Sequence, residues 1–201
     1  MSRKKQYIID ELEIIDAGSE GKAVGKYEGL TVFVPFAVPG DVVKVRVYKH
    51  RKGYAEAELL SVVQPSPDRI APTCLHFGLC GGCKWQVMNY DKQLEYKQKQ
   101  VIDNFNHLGK FEFPEIAPIV PSAHEFYYRN KLEFTFTNLR WLDEKDMELQ
   151  KTGSIETRGL GFHIPGKFDK ILDVEHCYLQ ADPSNAIRLA IRNYAIENNL
   201  T

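Results

Sequence analysis

Three of the chain's four cysteines, Cys74, Cys80 and Cys83, fall within ten positions in the stretch CLHFGLCGGCKWQ, and the fourth, Cys177, lies far downstream. A site built from all four would pin the 74–83 loop to the segment that ends at Cys177, which constrains the fold more than any local pattern does. The near spacing is C-x5-C-x2-C. Three ligands on one Gly-rich loop plus one remote ligand is a known way to wrap an iron–sulfur cube, and the ferredoxin spacing C-x4-C-x2-C…C is close to it. Gly81 and Gly82 permit a tight turn and leave backbone N–H groups to face sulfur. Trp85 is placed to pack beside such a site and exclude water. Zinc is the competing ligand, although it favours paired C-x2-C knuckles and the chain has one such pair. A third reading makes Cys177 an unrelated buried thiol. The spacing marks a four-thiolate site and leaves the metal open.

With 201 residues the chain has room for one or two domains with real cores, and 43% apolar and 26% charged residues are ordinary for a soluble protein. No apolar run is long enough to cross a membrane. The opening MSRKKQYIIDELEII has basic residues, but acidic ones follow at once and no apolar signal core appears. The expected compartment is therefore the reducing cytoplasm, where clustered cysteines point to metal binding or catalysis rather than disulfides. The net charge of −1 gives no global attraction to nucleic acid, so any basic surface must be local.

The expected fold class is α+β in two domains. Residues 1–66 read as an OB-like barrel of five short strands punctuated by Gly and Pro. Val43, Val45 and Val47 alternate with Lys44, Arg46 and Tyr48, the period of a half-buried strand. KHRKG is a basic turn, and YAEAELLSVV returns as the next strand. The proline-rich QPSPDRIAP marks the boundary, and residues 67–201 form the second, cluster-binding domain. NYDKQLEYKQKQVIDNFNHLG reads as a helix, with Leu94, Val101, Phe105 and Leu108 on one face and Gly109 as its stop. YYRNKLEFTFT reads as a strand with Tyr128, Leu132, Phe134 and Phe136 on one face and Arg129, Lys131, Glu133 and Thr135 on the other. Residues 138–158 read as a polar loop or insertion. RGLGFHIPGKFDKILDVEHC reads as two strands joined at Pro165 and Gly166, and ADPSNAIRLAIRNYAIENNL as a closing helix capped by Asp182.

CLHFGLCGGCKWQ, the Lys/Gln-rich helix after it and YYRNKLEF together resemble the RNA uracil-C5 methyltransferases that carry a 4Fe-4S cluster. The stretches GKAVGKYEGLTVFVPFAVPGDVVKVRV and PSPDRIAPTC resemble the TRAM domain at the N-terminus of many of them. The resemblance covers most of the chain. It implies a 4Fe-4S cluster on Cys74, Cys80, Cys83 and Cys177, an RNA partner, ribosomal (23S type) before transfer RNA, and a monomeric parent protein that uses S-adenosylmethionine. In that family a cysteine thiolate adds to C6 of uracil, the enolate takes the methyl group, and a base removes the C5 proton. Here every thiol is already placed in the cluster. GLGFHI has two glycines but no helix opening after it, so an ordinary close-packed strand is expected there. The resemblance places the catalytic Rossmann-like domain after this region. The chain is accordingly expected to be an incomplete, inactive fragment with no catalytic residue of its own, and to leave apolar strand surface that promotes self-association.

Two basic groups are candidate RNA contacts. Lys44, Arg46, Lys49, Arg51 and Lys52, with Tyr48 and Tyr54 interleaved, suit phosphate contact and base stacking; the alternative is a barrel edge kept charged against aggregation. Arg129 and Lys131 are the best individual contacts; the alternative is a solvated face with an Arg129–Glu133 pair. Lys92, Lys97 and Lys99 read as solvated charges, and His163 and His176 as surface residues rather than ligands. Two other functions compete. One is an iron–sulfur redox or radical enzyme, although radical S-adenosylmethionine chemistry wants C-x3-C-x2-C with one iron left open; the other is a zinc-binding RNA module that needs no catalysis.

Overall fold

The computed structural model describes residues 6–200. The first five strands are β1 (Tyr7–Ala17), β2 (Lys22–Tyr27), β3 (Leu30–Pro35), β4 (Val42–Arg51) and β5 (Tyr54–Gln64). They close a barrel in the order β1-β2-β3-β5-β4, with β1 pairing back onto β4 and β3 running parallel to β5. The alternation in β4 appears as expected, with Val43, Val45 and Val47 buried in the barrel core beside Leu12, Ile14, Val32 and Val34. In β1 the buried positions are Ile9, Leu12, Ile14 and Ala17, which breaks strict alternation; register shifts at Ile9/Leu12 and Ile14/Asp16 absorb the slips. Gly25 lets β2 cross β1 closely, because a Cβ there would lie 2.8 Å from the Glu13 carbonyl oxygen and Leu12 Cγ.

The chain divides into two compact units, and the division is not the expected 1–66 and 67–201. One unit comprises residues up to Thr73 together with Lys84–Ser122; the other comprises Cys74–Cys83 and Ala123–Thr201. The reason is a pair of backbone staples at the foot of the cysteine loop. Ile70 N–H donates to the Val87 carbonyl at 2.8 Å and Asn89 N–H to the Asp68 carbonyl at 3.0 Å, while Val87 and Met88 are buried. The chain on both sides of the loop therefore stays with the barrel. Asp41, fully buried, reinforces this exit. It accepts from the N–H groups of Val38 (2.7 Å) and Ser66 (2.8 Å) and from the Arg69 guanidinium (2.7 Å).

The helix α1 (Tyr90–Asn104) also belongs to the barrel unit; Asn89 caps it, its Oδ1 accepting from Lys92 N–H at 2.9 Å. Its expected apolar face is not a buried one. No α1 residue is buried, Val101 and Leu108 are exposed, and the Phe105 ring packs on Phe111 and Phe113. The helix ends in a π-helical turn, Phe105–Gly109, and the left-handed residue that closes it is Lys110 (φ 53°), not Gly109.

The second unit holds a three-stranded sheet, β6 (Thr135–Thr137), β7 (Gly159–Ile164) and β8 (Lys167–Asp173), in that order. The turn at Pro165 and Gly166 joins β7 to β8 as expected, and Gly161 is needed for close packing: a Cβ there would lie 1.9 Å from the Leu172 carbonyl oxygen. Two expectations need correction. The strand read over 127–137 is regular only at β6, because Tyr127 and Arg129 give their N–H groups to the irregular segment at Tyr178 and Leu179, both at 2.8 Å. Leu132 and Phe134 do face the unit's core, whereas Tyr128 and Phe136 are exposed. The polar stretch 138–158 is not all loop. It contains α2 (Glu144–Thr152), started by a capping box between Asp143 and Asp146. The closing helix α3 (Ser184–Glu197) follows Pro183, which has no side-chain acceptor, so Asp182 does not cap it. Among the described residues no helix is long and apolar enough to cross a membrane.

Candidate metal centre

The cysteine loop is a run of tight turns. Phe77 N–H donates to the Cys74 carbonyl (3.1 Å), and the His76 carbonyl accepts from Leu79 (3.2 Å) and Cys80 (2.8 Å). Gly82 N–H points at Cys80 Sγ, 3.4 Å away, the sulfur-facing amide expected of the double glycine. Cys80 and Cys83 pack on the small core around Cys177, Leu179, Val174 and Ile164. Cys177 does not end a strand. It lies four residues beyond β8, in an irregular segment held by side chains.

That holding is the part the cysteine spacing did not reveal. From α3, Asn185 Oδ1 accepts Cys177 N–H at 2.9 Å and its Nδ2 donates to the Cys177 carbonyl at 3.0 Å. Arg188 donates to the carbonyls of Val174 and Glu175. From the loop itself, His76 Nε2 accepts Glu175 N–H at 3.1 Å. Asn185 and Arg188 are buried polar residues on the helix, and no local pattern in the sequence sets them apart from its solvated polar residues.

All four cysteines are thiols with no disulfide among them. Burial pushes the Cys74, Cys80 and Cys177 thiols up, and each feels neighbouring members of the set. Burial also pushes His76 down, which suits a neutral ring accepting a hydrogen bond. Gathering four such groups is costly unless a cation offsets their charge when they ionise. Among the described residues no three Cys, His, Asp or Glu side chains stand close enough to hold a single metal ion. A single zinc needs its sulfurs crowded at about 2.3 Å from one centre. A cube carries each thiolate on its own iron and needs them wider apart. The all-thiol donor set and the amide on Cys80 sulfur fit a 4Fe-4S group, and four thiolates are also a donor set that structural zinc uses. Trp85 is grouped with the barrel unit, its Nε1 3.3 Å from where a Cβ on Gly21 would lie. His163 is exposed, and His176 is a half-buried ring bonded to Tyr127 rather than to the thiols.

The candidate RNA contacts separate into committed and uncommitted cations. Lys44 pairs with Asp10 (2.7 Å), Arg46 with Glu58 (2.5 Å) and Lys49 with Glu56 (2.5 Å). Arg51 and Lys52 sit exposed at the tip of the β4–β5 hairpin. Lys131 pairs with Glu133 at 2.8 Å, no Arg129–Glu133 pair is found among the described residues, and Arg129 lines a cleft together with Gln180 and Ser184. Lys99 pairs with Asp16 and Asp103, which raise its pKa to about 12.

The family model for the TRAM domain matches residues 10–60, the span of the barrel. The TRAM barrel and the region C-terminal to it are similar to proteins named as uncharacterized RNA methyltransferases. The relative from Bacteroides thetaiotaomicron is 51% identical over 90% of this chain and 40% of its own length. The one from Porphyromonas gingivalis is 48% identical over 93% of this chain and 41% of its own. The chain thus spans about two fifths of the curated relatives it matches. Among solved structures, the Pyrococcus abyssi tRNA (uracil-54, C5)-methyltransferase in complex with S-adenosyl-L-homocysteine superposes with a TM-score of 0.56. It is 26% identical and covers 94% of this chain and 37% of that one.

Proposed function

We propose that this TRAM-containing chain is the RNA-recognition and cluster-binding portion of an S-adenosylmethionine-dependent methyltransferase that acts on C5 of uridine in RNA, in the cytoplasm. The observation that carries this is the gathering of Cys74, Cys80, Cys83 and Cys177 in a chain that also has a TRAM barrel and whose relatives are named RNA methyltransferases. A 4Fe-4S group on these thiols would supply a rigid cross-link between the 74–83 loop and the 174–177 segment. The chain's own residues do the rest: His76, Asn185 and Arg188 hold the fourth ligand's backbone, and Gly82 N–H stabilises charge on Cys80 sulfur. Uncommitted cations at Arg51, Lys52 and Arg129 are available to phosphates.

Uracil C5 is a poor nucleophile, and activating it takes a thiolate free to add at C6. The four thiols here serve the cluster, so this chain alone is expected to transfer no methyl group. The test supplies labelled S-adenosylmethionine with unmodified ribosomal or transfer RNA, to this chain and to a full-length relative such as the Bacteroides protein. Methylation of uridine C5 by the relative alone supports the assignment, and the RNA that is labelled decides between 23S ribosomal RNA, the target expected here, and transfer RNA. Methyl transfer by this chain alone, or methylation of another position by the relative, overturns it.

A further inference from the structure

Beside the thiol site, three rings form a cluster the proposed function leaves unused. The Tyr127 hydroxyl meets His176 Nε2 at 3.3 Å, and the His176 and Tyr178 rings pack edge to face with centroids 4.5 Å apart. Tyr127 and Tyr178 are 6.0 Å apart, and Phe126 backs Tyr178 at 6.0 Å. Backbone bonds from Tyr127 and Arg129 to Tyr178 and Leu179 clamp the two segments together. Tyr127 nonetheless has φ 59°, a left-handed conformation that a bulky side chain adopts at a cost. Burial does not explain the cost, because Tyr127 remains 44% exposed and Tyr128 next to it 55%. The fold therefore holds an exposed aromatic ring rigidly in a strained position. Arg129 lies two residues away and, among the described residues, is in no ion pair. A fixed ring loses little entropy when a ligand stacks on it. Exposed aromatics beside a free cation are the combination that holds single-stranded nucleic acid.

We propose that Tyr127, set by His176 and Tyr178, is a stacking platform for one unpaired RNA base, with Arg129 taking the adjoining phosphate. The proposal rests on the RNA reading and adds a site to it. The test measures binding of a labelled oligouridine and of the same oligomer with abasic residues, across a salt series, to the native chain and to Tyr127→Leu and Tyr127→Phe. Tyr127→Leu should bind oligouridine about 5- to 100-fold more weakly, bind the abasic oligomer as the native chain does, and keep the native salt slope. Tyr127→Phe, which keeps the ring, should stay within about twofold of the native chain. Photo-crosslinking of the native chain to a 5-bromouridine oligomer needs no variant and should label residues 126–129 or 176–178. Native affinity in Tyr127→Leu, equal losses on both oligomers, or crosslinks only elsewhere would overturn the platform while leaving the RNA reading in place. A Tyr127→Leu variant that loses metal but not RNA affinity makes the rings a cover for the thiols and also overturns it. No salt-dependent binding of either oligomer by the native chain would overturn the RNA reading itself.

Discussion

In the proposed centre Cys177 is the fourth ligand, and its position is set by groups other than its own thiol. Asn185 satisfies both its N–H and its carbonyl, taking the place a neighbouring strand would otherwise fill. Asn185→Leu keeps the branched shape but leaves a buried N–H without a partner, a loss of about 1–3 kcal/mol. Iron and acid-labile sulfide retained by anaerobically purified protein should then fall in the Asn185→Leu variant, and fall further in Cys177→Ser and Cys80→Ser. Stoichiometric zinc without sulfide in the native chain would reject the cube, and full retention in Cys177→Ser would remove it as the fourth ligand. The spacing C-x5-C-x2-C nominates three thiols, and the family resemblance adds Cys177 as the fourth. Neither had any means of showing that an asparagine eight residues on, in another element, holds the last of them.

At the scale of elements, α2 shows how a polar stretch conceals a helix. Its apolar content is too low for a periodicity argument, and what starts it is local: Asp143 and Asp146 cap each other, and Arg140 clamps Asp146 at 2.6 and 2.8 Å. The Arg140 pairing lowers the Asp146 pKa, and Arg158 lowers that of nearby Glu156 to about 2. A carboxylate whose folded pKa is depressed adds stability that is fully present above its unfolded value, about 4, and is lost as pH falls through the folded one. Amide exchange over 144–152 should be flat from pH 7 to about 5 and speed up, after correction for intrinsic rates, below about pH 4. Unchanged protection down to pH 2 would mean the cap, not the ion pair, carries the helix. The strand expected over 127–137 erred in the opposite sense. Its alternation is real, but alternation gives only the faces, and the partner that turned up for Tyr127 and Arg129 is an irregular segment.

For the whole molecule, charge has to be counted by commitment rather than by residue. Lys44, Arg46 and Lys49 are each taken by a carboxylate on a neighbouring strand, leaving Arg51, Lys52, Arg129 and the loosely paired Lys131 to meet phosphates. About four phosphate contacts with single-stranded RNA give a log–log salt slope near −3, and removing Arg129 and Lys131 together should flatten it by about 1 to 1.5. Replacing Lys44, Arg46 and Lys49 with alanine should leave the slope nearly as it was. A larger effect from the barrel set than from the Arg129 pair would reverse this ranking.

By itself the sequence determined the barrel and the β7–β8 hairpin, because each rests on a local code: period-two burial and a Pro-Gly turn. Only the tertiary structure decided that the loop leaves one unit to join the other. Pairing of residues 68–70 with 87–89 depends on contacts across the intervening chain that no window contains. Tertiary packing also decided which cations are free, since Asp10, Glu56 and Glu58 are brought to them by strand register. The left-handed Tyr127 was likewise hidden, because no residue type announces strain that its neighbours impose.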